Sequence, residues 1–426
     1  MNSKESHSLL KKNNSSSPLI TKIPLQERYE IFIFLFLFVE FIFMISEKDL
    51  DRFVLTEYAV TYKFGLIPRA FIGSLISLFA NKITSHAVYI MSIISFIILI
   101  SQISLALGRL IRKSDPDIKL SVKIFAILFL ASPLSVTYLL GGYFARLDMY
   151  WLIITLFSLF LLKRRTLRWT VPLLGAVAIM IHQGYLLTYM PALLIPMFYE
   201  IYRSKYSKKS IMLFGLSCIS MLLILLFLMF AQKNLPFANA ADFLKHISKN
   251  VEFPPDQQMI YCEYYCTFKQ WTIHVVFPLL TYTALPVGLT LFAFSIPLIM
   301  IFGYIWKQCL RETKNKFLKF IFFLCASAPS LFILAAILGT DWDRWWAAVI
   351  NNQFIIVFYF IFSKEKAVID SVQKVGNFFK DHLLWLLLIM IFSNSLTFSK
   401  ASTLVLSIAY QNAKAFEAIM SYVAGK

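Results

Sequence analysis

The segment Gly339-Thr340-Asp341-Trp342-Asp343-Arg344-Trp345-Trp346 lies between two apolar runs, residues 317–339 and 345–362. Two carboxylates, a guanidinium and three indoles placed there mark a chain that leaves hydrocarbon, meets water and turns back, since charges and tryptophans collect at that boundary. Hydrophobic residues fill 59% of 426 positions and mean hydropathy is +0.69, against roughly 45–50% apolar residues in soluble domains. The fold class follows: an all-α, polytopic integral membrane bundle, because hydrocarbon admits only helices and closed barrels, and long unbroken apolar runs suit helices, where barrel strands alternate.

Apolar runs at 31–46, 87–111, 122–141, 148–162, 170–183, 185–202, 211–231, 278–306, 317–339, 345–362 and 383–398 predict about eleven transmembrane helices. Residues 70–80 are apolar but too short for the roughly 20 residues a crossing needs, so they read as an interfacial or re-entrant helix. The pair of runs meeting at His182-Gln183-Gly184 is also short, which predicts ends dipping into a cavity or a thinned bilayer. Residues 1–30 read as a disordered cytoplasmic tail, 31–398 as one transmembrane domain with a large external loop at 232–277, and 399–426 as an external amphipathic segment.

Orientation comes from the bases. The tail and the loops at 109–123, 163–168, 203–209, 307–319 and 364–380 carry 27 of the 41 Lys and Arg, and the other side carries 14. The richer side is expected in the cytoplasm, with the N-terminus. That distribution explains the net charge of +18 without nucleic acid as a partner. It also turns nearly all the functional-looking polarity outward.

Five residues are candidates for a catalytic base: Asp49 and Asp51 after the first span, Asp341 and Asp343 in the opening segment, and His182 between two short helices. Four are candidates for holding an anionic substrate: Arg69, Arg146, Asp148 and Arg344, with Asp148 orienting Arg146. Each has a plainer reading. Asp148 at a helix start complements the helix dipole, Arg69 can snorkel to headgroups, His182 can be a hydrogen-bonded structural residue, and the tryptophans fit an interfacial belt. Glu40, inside the first span, must face protein or water and is expected to pair with Arg69 or Arg146. Tyr261, Tyr264, Tyr265, Phe268 and Trp271, among balanced charges in the external loop, suit sugar stacking or, preferably, rest on the bilayer surface.

Five cysteines are too few for a disulfide framework. Cys262 and Cys266 in the external loop are compatible with a local disulfide and with two thiols. No His or Cys pairs with ligand spacing accompany them, so no metal and no cofactor are expected.

This arrangement, with Asp49 and Asp51 in a charged first external loop, an interfacial helix, an external loop at 232–277 and Arg and Asp at outer span ends, resembles envelope-glycan membrane enzymes. These are the GT-C-type glycosyltransferases and the polymerases and ligases of O-antigen assembly. The resemblance is architectural; the large soluble C-terminal domain of many GT-C enzymes is missing. It implies a transferase or polymerase in a bacterial inner membrane that uses sugar on a polyprenyl phosphate or diphosphate at the periplasmic face. Membrane lipid and other glycan-assembly proteins are the implied partners. A transporter or flippase of a lipid-linked or anionic solute is the alternative, and a non-catalytic scaffold a third.

Overall fold

The computed structural model describes residues 28–45, 50–131, 144–266, 268–271, 284–338 and 342–394. The expected tail up to residue 27, the C-terminal segment 399–426, Asp49 and Asp341 lie outside these residues. The described residues are helical apart from turns and one isolated β-bridge. The helices of eight or more residues are α1 (Tyr29–Ile45), α2 (Arg52–Ala59), α3 (Ala70–Ser77), α4 (Ser85–Lys113), α5 (Pro116–Ala131), α6 (Asp148–Leu162), α7 (Val171–Ile181) and α8 (Met190–Arg203). They continue as α9 (Lys208–Lys233), α10 (Ala240–Ser248), α11 (Ala284–Glu312), α12 (Lys316–Ser327), α13 (Leu331–Leu338), α14 (Trp342–Phe362), α15 (Lys366–Asp381) and α16 (Leu383–Asn394).

Four stretches among the described residues are long and apolar enough to cross a membrane: Ser85–Lys113, Lys208–Lys233, Lys316–Ala335 and Arg344–Phe362. Their outer surfaces fit that medium. Along α9, Leu222, Leu223, Leu226, Met229 and Phe230 are all more than half exposed, a continuous apolar face that water would not tolerate. α14 is the opposite case, buried along nearly its whole length from Trp346 to Ile361. It is the central post of the bundle.

Glu30 at the start of α1 pairs with Arg112 at the end of α4 at 2.5 Å, and Phe41 stacks on Phe96, so the two are antiparallel. α6, α8 and α14 run the same way and are tied at their C-terminal ends. There Lys163 donates to Glu200 Oε1 (2.6 Å) and Ser363 Oγ (2.8 Å), while Tyr359 donates to Glu200 Oε1 at 2.8 Å. Tyr199 donates to Glu365 at 2.9 Å in the same group. A 15-residue helix rises about 22 Å, so this knot is a helix length away from the N-terminal ends of α6 and α14.

Short helices pack across those N-terminal ends. α2 starts at Asp51, an exposed N-cap whose carboxylate accepts from the Phe53 N–H at 3.4 Å. α3 then folds back so closely on the end of α2 that a Cβ on Gly73 would sit 2.2 Å from the Val60 carbonyl oxygen and 2.3 Å from that of Tyr58. Residues 251–264 are docked beside this pair. Asp256 N–H donates to Thr56 Oγ1 (2.7 Å), Tyr264 donates to the Pro68 carbonyl (2.9 Å), and Ile83 bridges to Val251. Tyr264 is therefore a buried strut for α3, where a resting place on the bilayer surface was expected. Cys262 and Cys266, in and just after the turn Tyr261–Tyr265, are not joined by a disulfide.

Two further expectations need correcting. The basic stretch 364–380 holds a full helix, α15, whose Val368, Val372, Val375 and Phe379 are buried against the bundle at helical spacing. Glu40 sits in α1 with its Oε2 buried and without a hydrogen-bond partner among the described residues; the carboxylate between Arg69 and Arg146 is another one. The backbone oxygens facing Gly73 cannot move aside, so Gly73→Leu should cost about 1–3 kcal/mol or prevent folding. A thermal melt of the purified protein in detergent, against Gly215→Leu where a Cβ meets no atom within 4 Å, reads the difference; equal midpoints would refute the close packing of α2 on α3.

Candidate functional site

The N-terminal ends of α6 and α14 lie together because Arg344, two residues into α14, donates to Asp148 Oδ2 at the start of α6. Both side chains are buried, at 7% and 2% exposure. Asp148 suits its place, since a carboxylate in the first helical turn meets the positive end of the dipole. Arg344 opposes the dipole of its own helix and is held by that partner. Asp148 Oδ1 is left buried without a hydrogen-bond partner among the described residues.

Arg146 precedes α6 by two residues. It follows Ala145, which has φ 70°, a left-handed conformation that costs an alanine roughly 1–2 kcal/mol. The Tyr58 hydroxyl holds that turn by donating to the Ala145 carbonyl at 2.6 Å. Arg69, before α3, is also left-handed at φ 63°. Two of the three arginines thus stand on backbone that tertiary contacts, and not local preference, keep in place. Arg69 pairs with Glu263 from the docked residues 251–264, and the Arg146 guanidinium lies over the Phe53 ring.

Between Arg69 and Arg146 stands Glu57 of α2. Its Oε1 is 4.0 Å from Arg69 and 3.7 Å from Arg146, both beyond hydrogen-bond reach, and its Oε2 is buried without a partner among the described residues. At 2% exposure the carboxylate has lost water and gained only charge attraction in return. Burial pushes its pKa from 4.5 up to about 7, even against the pull of Arg146, Arg69 and Arg344. A carboxyl group poised there can take up or release a proton near neutrality.

His182 closes the group from the α7 side. Its Nδ1 accepts the Gly184 N–H at 2.9 Å, which leaves Nε2 to carry the ring proton. The ring lies edge-on to Trp151, at 5.0 Å between centroids, and in the field of Arg69, Arg146 and Arg344. A ring fixed in this tautomer offers a donor, so the geometry does not suit it to the role of base in this state.

The structure therefore brings together Arg69, Arg146, Asp148, Arg344 and His182, all expected from sequence, with Glu57 and Glu263, which were not. Asp51 is an exposed helix cap. Asp343 belongs to α14, next to Arg344. Among the described residues no cluster of His, Cys, Asp and Glu could hold a metal ion. Counting Arg69, Arg146 and Arg344 against Glu57, Asp148 and Glu263, the group is neutral with Glu57 ionised and carries one positive charge with Glu57 protonated.

Two outcomes test this arrangement. Glu57 binds its proton more tightly in the folded state than the unfolded chain does, so it stabilises the fold below about pH 4.5 and loses that contribution as pH rises to about 7. The melting temperature in detergent should fall over that window, and Glu57→Gln should flatten the fall; an unchanged slope would contradict the buried placement. Asp148→Ala strands a buried guanidinium and should cost about 3–5 kcal/mol, part of which the double change with Arg344→Leu restores. Additive losses in that cycle would mean the pair is not coupled.

No protein-family model, curated protein or solved structure matches this chain.

Proposed function

We propose that the protein is an integral membrane glycosyltransferase or glycan polymerase that moves sugar units from a polyprenyl-phosphate-linked donor at the outer, periplasmic face of a bacterial inner membrane. The observation that carries this reading is one buried, loosely held carboxylate, Glu57, between Arg69 and Arg146 at one end of the bundle, with the Arg344–Asp148 pair near it. About eleven spans with the lysine-rich ends in the cytoplasm would turn that end outward.

The chemistry suits the group. Arg69, Arg146 and Arg344 would hold the donor phosphate, and His182 Nε2–H would add a neutral hydrogen bond. Glu57 would take the proton from the acceptor hydroxyl as its oxygen attacks the anomeric carbon, while the bond from that carbon to the phosphate oxygen breaks and the electron pair leaves with the phosphate. Proton uptake by Glu57 raises the charge of the site by one as the leaving phosphate becomes more negative. This is stabilisation aimed at charge that develops during reaction.

A transporter or flippase is the second reading. Asn351 and Asn352, in the middle of α14, donate to Tyr189 Oη and the Thr188 carbonyl while their own Oδ1 atoms are buried without partners among the described residues. Polar atoms of that kind, between the two charged ends of α14, are what a solute path would use.

Purified protein given a polyprenyl-phosphate sugar and an acceptor glycan separates the two. The transferase reading expects extended glycan, a drop of about 10²–10⁴-fold in rate for Glu57→Gln, and a comparable loss for Arg146→Ala, at unchanged protein level. Full rate in both variants would sink it, and solute flux through vesicles without any product would favour the transporter.

A further inference from the structure

On the far side of α14 from Arg344 lies a cavity of about 710 Å³, within the roughly 300–1,000 Å³ typical of ligand sites. α11 contributes Ile299, Gly303 and Lys307 to its wall, and α14 contributes Trp346, Ile350 and Gln353. Arg344 faces α6 through Asp148, so α14 stands between this cavity and the arginine group. Its rim opens sideways, where Ile333 and Phe292 are at least half exposed, on the side of the bundle that a membrane's hydrocarbon would cover.

The polar atoms in the wall are already used. Trp346 donates to Ser295 (2.6 Å), Trp306 donates to Gln353 Oε1 (2.6 Å), and Gln353 donates in turn to the Cys325 carbonyl (3.1 Å). What remains for an occupant is apolar surface, with one exception. Lys307 is exposed at the end of the wall that leads into the basic stretch 307–319, which carries five Lys and Arg. An occupant that matches both features is long, apolar and anionic at one end only.

We propose that this cavity holds one hydrocarbon chain of an anionic phospholipid whose headgroup lies at Lys307. The site is independent of the transferase reading, since α14 walls it off from the arginines and its charged end lies at the opposite end of the bundle. A lipid seated there would brace α11 and the α12–α13 pair against the central helix.

Full-length protein, stripped of lipid in detergent, is titrated with dioleoyl phosphatidylglycerol, dioleoyl phosphatidylcholine and polyprenyl phosphate, with bound lipid read by native mass spectrometry. Wild type should retain one phosphatidylglycerol at least about tenfold more tightly than phosphatidylcholine. A Cβ at position 303 meets no atom within 4 Å, so Gly303→Phe can fill the cavity without a backbone clash and should abolish retention while the protein stays monodisperse. Gly303→Leu serves if the larger side chain disturbs folding. Lys307→Glu should remove the preference for phosphatidylglycerol and leave phosphatidylcholine binding intact. The proposal is overturned by retention in both position-303 variants equal to wild type, or by an unchanged preference in Lys307→Glu. Tighter binding of polyprenyl phosphate at this cavity would also overturn it, as would no lipid binding at all, the result expected if another part of the chain fills the space.

Discussion

The buried pair between Arg344 and Asp148 is the contact on which the polar end of this protein depends. It joins α14, buried from Trp346 to Ile361, to the start of α6, at the end of the bundle opposite the bond from Lys163 to Ser363. Taking two such charges out of water costs several kcal/mol apiece, and their attraction offsets this only while both are present. A pair of this kind adds little net stability but favours one register: if α14 slid by one turn, about 5.4 Å, Arg344 and Asp148 would part and each buried charge would lose its partner. The register it sets also fixes the height of Arg146, two residues before Asp148, and so the position of the remaining site.

The two ends of the bundle handle their charges differently. At the C-terminal ends of α6, α8 and α14, Lys163, Glu200, Tyr359 and Ser363 form bonds of 2.6 to 2.8 Å, geometry that holds helices together. At the other end Glu57 lies 3.7 and 4.0 Å from its arginines, and one oxygen each of Glu57 and Asp148 is left over. Buried polar atoms are bonded almost without exception where their task is structural. Incomplete bonding, two left-handed residues and the tight packing of α2 on α3 set this end of the bundle apart from the knot at the other.

Much of this was legible in the sequence, for a physical reason. Arg146, Asp148, His182 and Arg344 stand where long apolar runs break, and in such surroundings a polar residue draws notice even when a plainer reading is at hand. Glu57 and Glu263 lie in short stretches outside the long apolar runs, where a carboxylate is ordinary, and only the packing of α2, α3 and residues 251–264 onto one another removes them from water. The same contrast explains why Asp51 looked like a base. An Asp followed by Arg52-Phe53-Val54 is an N-cap pattern, but its position in a first external loop drew the reading toward chemistry. α15 was hidden because its buried stripe of Val368, Val372, Val375 and Phe379 is diluted by lysines, which score as loop unless helical periodicity is counted.

The left-over acceptors also constrain what can enter the arginine group. Arg69, Arg146 and Arg344 are already matched by Glu57, Glu263 and Asp148, so an incoming anion cannot simply add its charge; it must displace a carboxylate or find one protonated. Glu263 and Asp148 hold their arginines at direct contact distance, and Glu57 alone is loosely held. Its pKa of about 7 makes protonation the easier route, because near neutrality that step costs little. Anion entry and proton uptake at Glu57 are then one linked event, and a phosphate would bind more tightly as pH falls through that value. A hydroxyl acceptor arriving beside a bound phosphate would meet Glu57 in competition between two protons, its own and the one the phosphate brought. Under the proposed reaction, Glu57 would have to give the proton taken up with the phosphate to solvent before it could accept the hydroxyl's, and that release would set the acid limb of the pH profile.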